Sequence, residues 1–196
     1  MNLALFDFDG TITFGDTFTP FIHFAVSRPR VVAGALLLSP MIAGYELGLV
    51  STTRMRAAIV RVALSGRRAH EIAELGRCYA RALPGLVRPE ALARIRWHQD
   101  SGDEVVVVSA SLDAYLHAWC SDLGVGLICS ALEANAGILT GKYAGADCSG
   151  PEKARRVLAE YDLSRYSNVY AYGDTPEDKE LLGLAHRRFY RWQELT

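Results

Sequence analysis

The sequence predicts an α/β protein, a Rossmann-like parallel sheet with an all-helical subdomain inserted after the first strand. Three observations carry this. The runs Leu3–Phe6, Val105–Val108 and Val169–Tyr172 are continuously apolar, as in strands covered on both faces. Helical patterns separate the runs. Residues 14–84 break that alternation with four consecutive helical segments.

The first strand, Leu3–Phe6, leads into Asp7 and Asp9. Ionised carboxylates are costly to bury unless a cation or hydrogen-bond donors meet them. Residues two apart in an extended chain share a face, so both carboxylates are expected to aim into one pocket that holds positive charge. The insert follows, with helices expected over Asp16–Val26, 31–49, Thr53–Leu64 and Ala69–Leu83. Met55, Ile59 and Val62 fall at helical spacing, as do Ile72, Leu75, Tyr79 and Leu83. After the insert come helices at Pro89–Gln99, Asp113–Leu123, Pro151–Tyr161 and Pro176–Leu184. Asn135-Ala136-Gly137 reads as a turn between two short strands, and "RRFYRW" as a closing strand. The expected division is a core of residues 1–13 and 85–196 and a helical insert of 14–84.

The 196 residues are half apolar, enough for one sizeable core and a small subdomain. The net charge of −1 gives no whole-chain field for nucleic acid. The charge is uneven, however: residues 14–84 hold nine arginines and no lysine against Asp16, Glu46, Glu71 and Glu74. Cys78, Cys120, Cys129 and Cys148 show neither zinc-site spacing nor a disulfide framework. With no secretory signal before the first strand, the expected location is the cytoplasm.

The stretch "VVAGALLLSPMIAGYELGLV", 31–50, approaches the length of a membrane span, but Pro40 interrupts it and Glu46 charges it. Buried helices of the insert are the first expectation. A face peripheral to the inner membrane is the second, because basic helices with an apolar side can sit on anionic lipid. A true span is the third. His23 is expected to pack within the insert, and His70, His98 and His117 at the surface. Arg54 and Arg56 are read as a solvated helix face.

Polar residues follow three of the strands: Asp7, Asp9, Gly10 and Thr11; then Ser109, Ala110 and Ser111; then Asp174, Thr175, Glu177 and Asp178. In open parallel sheets, ligands bind beyond the carboxyl ends of the strands. Asp7, Asp9, Asp174 and Asp178 form a set of hard oxygen ligands suited to Mg²⁺. Lys153, early in a helix where a cation opposes the dipole, suits an anionic substrate. Ser109, with Ala110 and the amides beyond it, can cradle phosphate. These parts fit phosphoryl transfer, with Asp7 as nucleophile and Asp9 as acid and base.

"DFDGTIT", "VVVSAS", Lys153 and "YGDTPEDKELL" resemble, in order, the four motifs of the haloacid dehalogenase superfamily. The resemblance implies that superfamily's fold, a type 1 helical cap at 14–84, Mg²⁺ and an aspartyl-phosphate on Asp7. "GADCSGPEK" is similar to the phosphoserine phosphatase-like branch. There, an acidic residue nine beyond the nucleophile lies near the substrate amine, which implies Asp16; Glu177 stands where that branch usually has Asn. The apolar cap segment and the "AHRRFYRWQEL" tail also resemble the phosphatidylglycerophosphatase C family. The activity so implied is phosphomonoester hydrolysis on a small phosphorylated substrate or a phospholipid head group. A phosphoserine phosphatase, a membrane-surface phosphatidylglycerophosphate phosphatase and a phosphomutase remain alternatives. A non-catalytic phosphate binder is disfavoured because Asp7, Asp9 and Lys153 are all present.

Overall fold

A computed structural model describes residues 1–195. Its sheet has six strands in the order β3-β2-β1-β6-β7-β8. They are β1 (Leu3–Phe6), β2 (Glu104–Leu112), β3 (Gly126–Ser130), β6 (Val169–Gly173), β7 (Arg187–Tyr190) and β8 (Gln193–Leu195). All neighbours are parallel except the β7–β8 pair. β1 lies between β2 and β6, in register from Leu3 to Phe6 with both. The chain therefore fills the sheet outward in both directions from β1, and a crevice forms where the strand order reverses.

Alternate residues of the central strands serve two cores, as a period of two requires. Ala4, Phe6, Val107 and Tyr172 face one layer, and Leu3, Leu5, Val106, Val108 and Ala171 the other. The first layer is aromatic: Phe6 stacks on Tyr172 at 4.2 Å, and Tyr172 on Phe189 at 4.7 Å. It is covered by α5 (Pro89–Asp100) and α6 (Asp113–Leu123), the second by α7 (Pro151–Glu160) and α8 (Lys179–Gly183). The expected helix at Pro176–Leu184 is divided, because Pro176–Asp178 forms a tight 3₁₀ turn before α8. β3 and β8 lay outside the expected strands.

The segment after β1 is helical, with α1 (Phe18–Ala25), α2 (Arg28–Glu46), α3 (Thr52–Leu64) and α4 (Ala69–Ala80). Gly76 of α4 lies so close to α6 that a Cβ there would meet the Ala114 carbonyl oxygen at 1.9 Å. The hairpin of β4 (Leu132–Asn135) and β5 (Ile138–Tyr143) turns at Ala136 and Gly137, both at positive φ, as a two-residue hairpin turn demands. It joins the inserted helices through backbone bonds from Gly66 N to Leu139 O (2.9 Å) and from Leu139 N to Arg67 O (2.8 Å).

Two expectations about residues 31–50 change here. Pro40 does not interrupt the helix: α2 runs through it, and Ser39 Oγ donates to the Leu36 carbonyl at 2.9 Å. That carbonyl is the acceptor a proline four residues on leaves without an N–H. Nor is the stretch buried, since Gly34 is the sole buried residue of α2. Among the described residues no helix is long and apolar enough to cross a membrane.

The histidine expectations also change. His23 is exposed on α1. His98 is fully buried, with Nδ1 at 2.9 Å from Asp103 Oδ2 and Nε2 at 2.9 Å from the Tyr172 hydroxyl. Burial holds the His98 imidazole below its ordinary value, against the pull of Asp103. The unfolded chain therefore binds a proton that the folded one resists, and stability falls as pH drops below about 6.5. Asp103 adds to the same trend. Burial would raise its carboxyl, but bonds from His98 and Asn2 hold it below the usual range, so its contribution is also lost toward acid. The expected result is a lower urea midpoint at pH ~5 than at pH ~7, with a shallower fall in His98→Gln. An unchanged slope in that variant would assign the acid sensitivity elsewhere.

Candidate active site

β1 ends at Phe6, and the chain turns at Gly10, where φ is +84°. A Cβ at Gly10 would lie 2.3 Å from Asp174 Oδ2, so only glycine lets this turn approach the end of β6. Gly173 meets the same demand from the other side, since its Cβ would lie 2.5 Å from that of Asp178. The two glycines let the β1 and β6 loops close on each other.

Carboxylate oxygens of Asp7, Asp174 and Asp178 lie within 4.8 Å of one another. Into this group α7 sends Lys153, whose Nζ donates to Asp7 Oδ1 at 2.5 Å and to Asp178 Oδ1 at 2.6 Å. Asp178 Oδ2 accepts from Asp174 N (3.1 Å), Thr175 N (3.0 Å) and Thr175 Oγ1 (3.2 Å), so the turn after β6 is wound around it. Thr11 Oγ1 donates to Asp174 Oδ1 at 3.1 Å and buttresses that carboxylate.

The charges explain each other. Burial pushes the Asp7 carboxyl up to about 8; Lys153 pulls it down, while Asp178 and Asp9 push the same way as burial. Burial also opposes a charged Lys153, but the carboxylates of Asp7 and Asp178 outweigh it and hold the ammonium above its ordinary value. Asp174 is raised by burial, against the Thr11 bond. With all three carboxylates ionised, one ammonium leaves an excess of negative charge that a divalent cation would balance. The donors are all hard oxygens, as Mg²⁺ requires, and the residues present fit that ion.

Asp9 differs from its expected place among the metal ligands. Its Oδ1 accepts from Thr17 N (2.8 Å) and Thr17 Oγ1 (2.5 Å), and its Oδ2 from the Ser111 hydroxyl. The strand stops before Asp7, so the same-face rule for extended chain no longer applies, and the two carboxylates take different partners. Burial raises the Asp9 carboxyl to about 6, against the bonds from Ser111 and Thr17.

The clamp on Asp9 joins two parts of the chain. Thr17 opens α1 and contacts the Tyr115 hydroxyl of α6 at 2.9 Å, while Tyr79 of α4 donates to the Thr17 carbonyl at 3.0 Å. Ser111 was visible as a neighbour of Ser109 on one strand face, two residues apart. Thr17 carried no comparable signal. Ser109 is buried, and its Oγ accepts from Ser111 N at 3.0 Å; Ala110 is half-buried beside it. Asp16 is exposed and turns to the start of α1, where it accepts from Phe18 N at 2.9 Å.

A second clamp crosses from α3. Arg56, expected on a solvated face, is only 14% exposed and pairs with Asp147 (2.9 Å) and Glu177 (3.0 Å). Thr53 Oγ1 lies 3.1 Å from Ser149 Oγ. Glu177 thus meets an inserted helix, whereas its neighbour Asp178 faces the acidic group.

The chain belongs to the haloacid dehalogenase-like hydrolases, whose family model matches residues 4–183. Protein CicA of Caulobacter vibrioides is 34% identical to it, across 96% of this chain and 85% of CicA. Among solved structures, a protein of unknown function from Bordetella pertussis Tohama I superposes with a TM-score of 0.78 at 21% identity. That match covers 96% of this chain and 89% of the other. A probable phosphoserine phosphatase from Vibrio cholerae superposes at 0.72 with 17% identity, across 99% of this chain and 61% of its own. The fold is shared with that phosphatase.

Proposed function

We propose that the protein is a Mg²⁺-dependent phosphomonoester hydrolase working through an aspartyl-phosphate on Asp7. The observation that carries this is the buried Asp7–Asp174–Asp178 group with Lys153 bonded to two of its members. Asp7, Asp174 and Asp178 would hold the ion, which when bound screens the carboxylates from the incoming phosphate.

Lys153 fixes Asp7 Oδ1 and leaves Oδ2 to attack phosphorus. The new Oδ2–P bond forms as the ester P–O bond breaks. Asp9, with a carboxyl near 6, can carry a proton to the leaving oxygen. The same carboxylate then takes a proton from water as that water attacks the aspartyl-phosphate, and Asp7 and inorganic phosphate are released. Ser109, with the Gly10, Thr11 and Ala110 backbone, takes the phosphoryl oxygens.

Residues 14–84 act as the cap over a core of 1–13 and 85–196, whose β4–β5 hairpin bonds to the cap through Gly66, Arg67 and Leu139. Asp16 and Arg56 are its charged groups near the mouth of the site. The substrate is a small phosphorylated metabolite or a phospholipid head group. All four cysteines are free, which supports a cytoplasmic location.

The test is phosphate release from p-nitrophenyl phosphate, phosphoserine, a sugar phosphate and phosphatidylglycerophosphate in detergent. Each is run with Mg²⁺ and with excess chelator. The expected result is release from at least one substrate that the chelator abolishes and added Mg²⁺ restores. Undiminished release in chelator would remove the metal from the mechanism, and no release from any of the four would favour a phosphomutase, a very narrow substrate range or a binding role.

A further inference from the structure

Helix α2 is apolar around most of its circumference, a pattern that normally marks a buried helix, yet it lies on the surface. Val32 is 59% exposed, Leu36 72% and Leu37 70%; beyond the helix, Leu47 is 74% and Leu49 76% exposed. Soluble monomers rarely leave a continuous apolar face of this kind bare. Between Pro29 and Val50 the charged residues are Arg30 and Glu46 alone. Arg30 is occupied at the inner side, donating to the carbonyls of Val62 (3.2 Å) and Ser65 (2.6 Å).

Beside this face runs a groove of about 450 Å³ between α3 and β5. Met41 of α2 lines it, together with Arg54, Arg61 and Lys142. All three cations are exposed. No described carboxylate forms a salt bridge with any of them, although most other arginines on the inserted helices have such a partner or a backbone carbonyl. An aliphatic face thus adjoins a groove of uncompensated positive charge.

We propose that this face docks on an anionic bilayer. Leu36, Leu37, Leu47 and Leu49 enter the acyl boundary, and Arg54, Arg61 and Lys142 meet lipid phosphates. The pairing of an apolar face with a basic flank is what interfacial helices use, and the two contributions add. Charge also selects the occupant. The inserted segment carries nine arginines against four acidic residues, so two copies brought face to face would repel, whereas an anionic leaflet attracts. The inference stands apart from the phosphatase reading, because the apolar face and the groove use none of the residues assigned to catalysis.

The test is co-sedimentation of the full chain with vesicles of phosphatidylcholine, with and without phosphatidylserine. Neither lipid is a phosphomonoester that the active site would retain. Wild type is expected to sediment with the anionic vesicles and to be released by high salt. Leu36→Glu/Leu37→Glu and Arg54→Glu/Arg61→Glu are each expected to lower the bound fraction at least about tenfold. These side chains are exposed, so the melting temperature and p-nitrophenyl phosphate turnover should stay at wild-type values and report an intact fold. Binding that is absent, indifferent to phosphatidylserine or unaffected by both variants would overturn the proposal. So would a dimer in light scattering that Leu36→Glu/Leu37→Glu dissociates, which would assign the face to a second copy.

Discussion

Asp7→Asn is expected to abolish phosphate release while the protein still folds. The two halves of that result have separate causes. An amide has no anionic oxygen to attack phosphorus, so turnover should fall at least about a thousandfold, as when other enzymes lose a nucleophile. Stability should change by no more than about 1 kcal/mol. Asn is nearly isosteric with Asp, and its carbonyl oxygen can still accept from Lys153 Nζ, now 2.5 Å from Asp7 Oδ1. Lys153 also keeps a counter-charge in Asp178, 2.6 Å away. Burial already works against an ionised Asp7, so a neutral side chain there removes a strained charge as well as an attraction. The measurements are phosphate release under single-turnover conditions and a thermal melt. Retention of a tenth or more of wild-type turnover would take the nucleophile role from Asp7. Loss of the cooperative melt would make the residue structural first.

The three central strands and the acidic group were legible in the sequence because each of those apolar runs ends abruptly in polar residues. Leu3–Phe6 ends in Asp7, and "VYAYG" ends in Asp174. Other features depended on what covers a segment, which periodicity does not encode. The leucines of α2 show how much apolar surface exists, but not that no element packs over it. His98 sits in an ordinary helical pattern, and its partners are Asp103 in the following turn and Tyr172 on a strand 74 residues away. Asp9 is the instructive case. Its place beside Asp7 after the first strand was readable from spacing, but the partners of its side chain depended on where β1 stops. The turn at Gly10 and the approach of Thr17 and Ser111 gave it partners other than a metal. Arg56 likewise looked solvated because Asp147 and Glu177 lie 91 and 121 residues further along the chain.

Lys153→Ala is expected to be the most damaging single change to stability, and to slow the reaction as well. The side chains of Lys153, Asp7 and Asp178 are 3%, 8% and 1% exposed, so neither partner can turn to water when the ammonium goes. Breaking one side of a buried ion pair costs about 3–5 kcal/mol, and here one cation serves two carboxylates. The rate falls for a related reason. An ammonium held beside Asp7 is positioned for the charge that develops as phosphorus transfers, and removing one such stabiliser costs about 2–4 kcal/mol in the transition state. That corresponds to a drop in kcat/KM of roughly one and a half to three orders of magnitude. Lys153→Met separates charge from packing. Methionine keeps most of the apolar stem, so whatever the Met and Ala variants lose in common belongs to the ammonium. Both are expected to melt well below wild type and to show the same loss in kcat/KM when assayed at a temperature where each is folded. If Met restored stability and rate together, Lys153 would be filling space rather than supplying charge. If Met restored stability alone, the ammonium would be confined to the reaction, and Asp7 and Asp178 would have to be held apart by some other means in the resting protein.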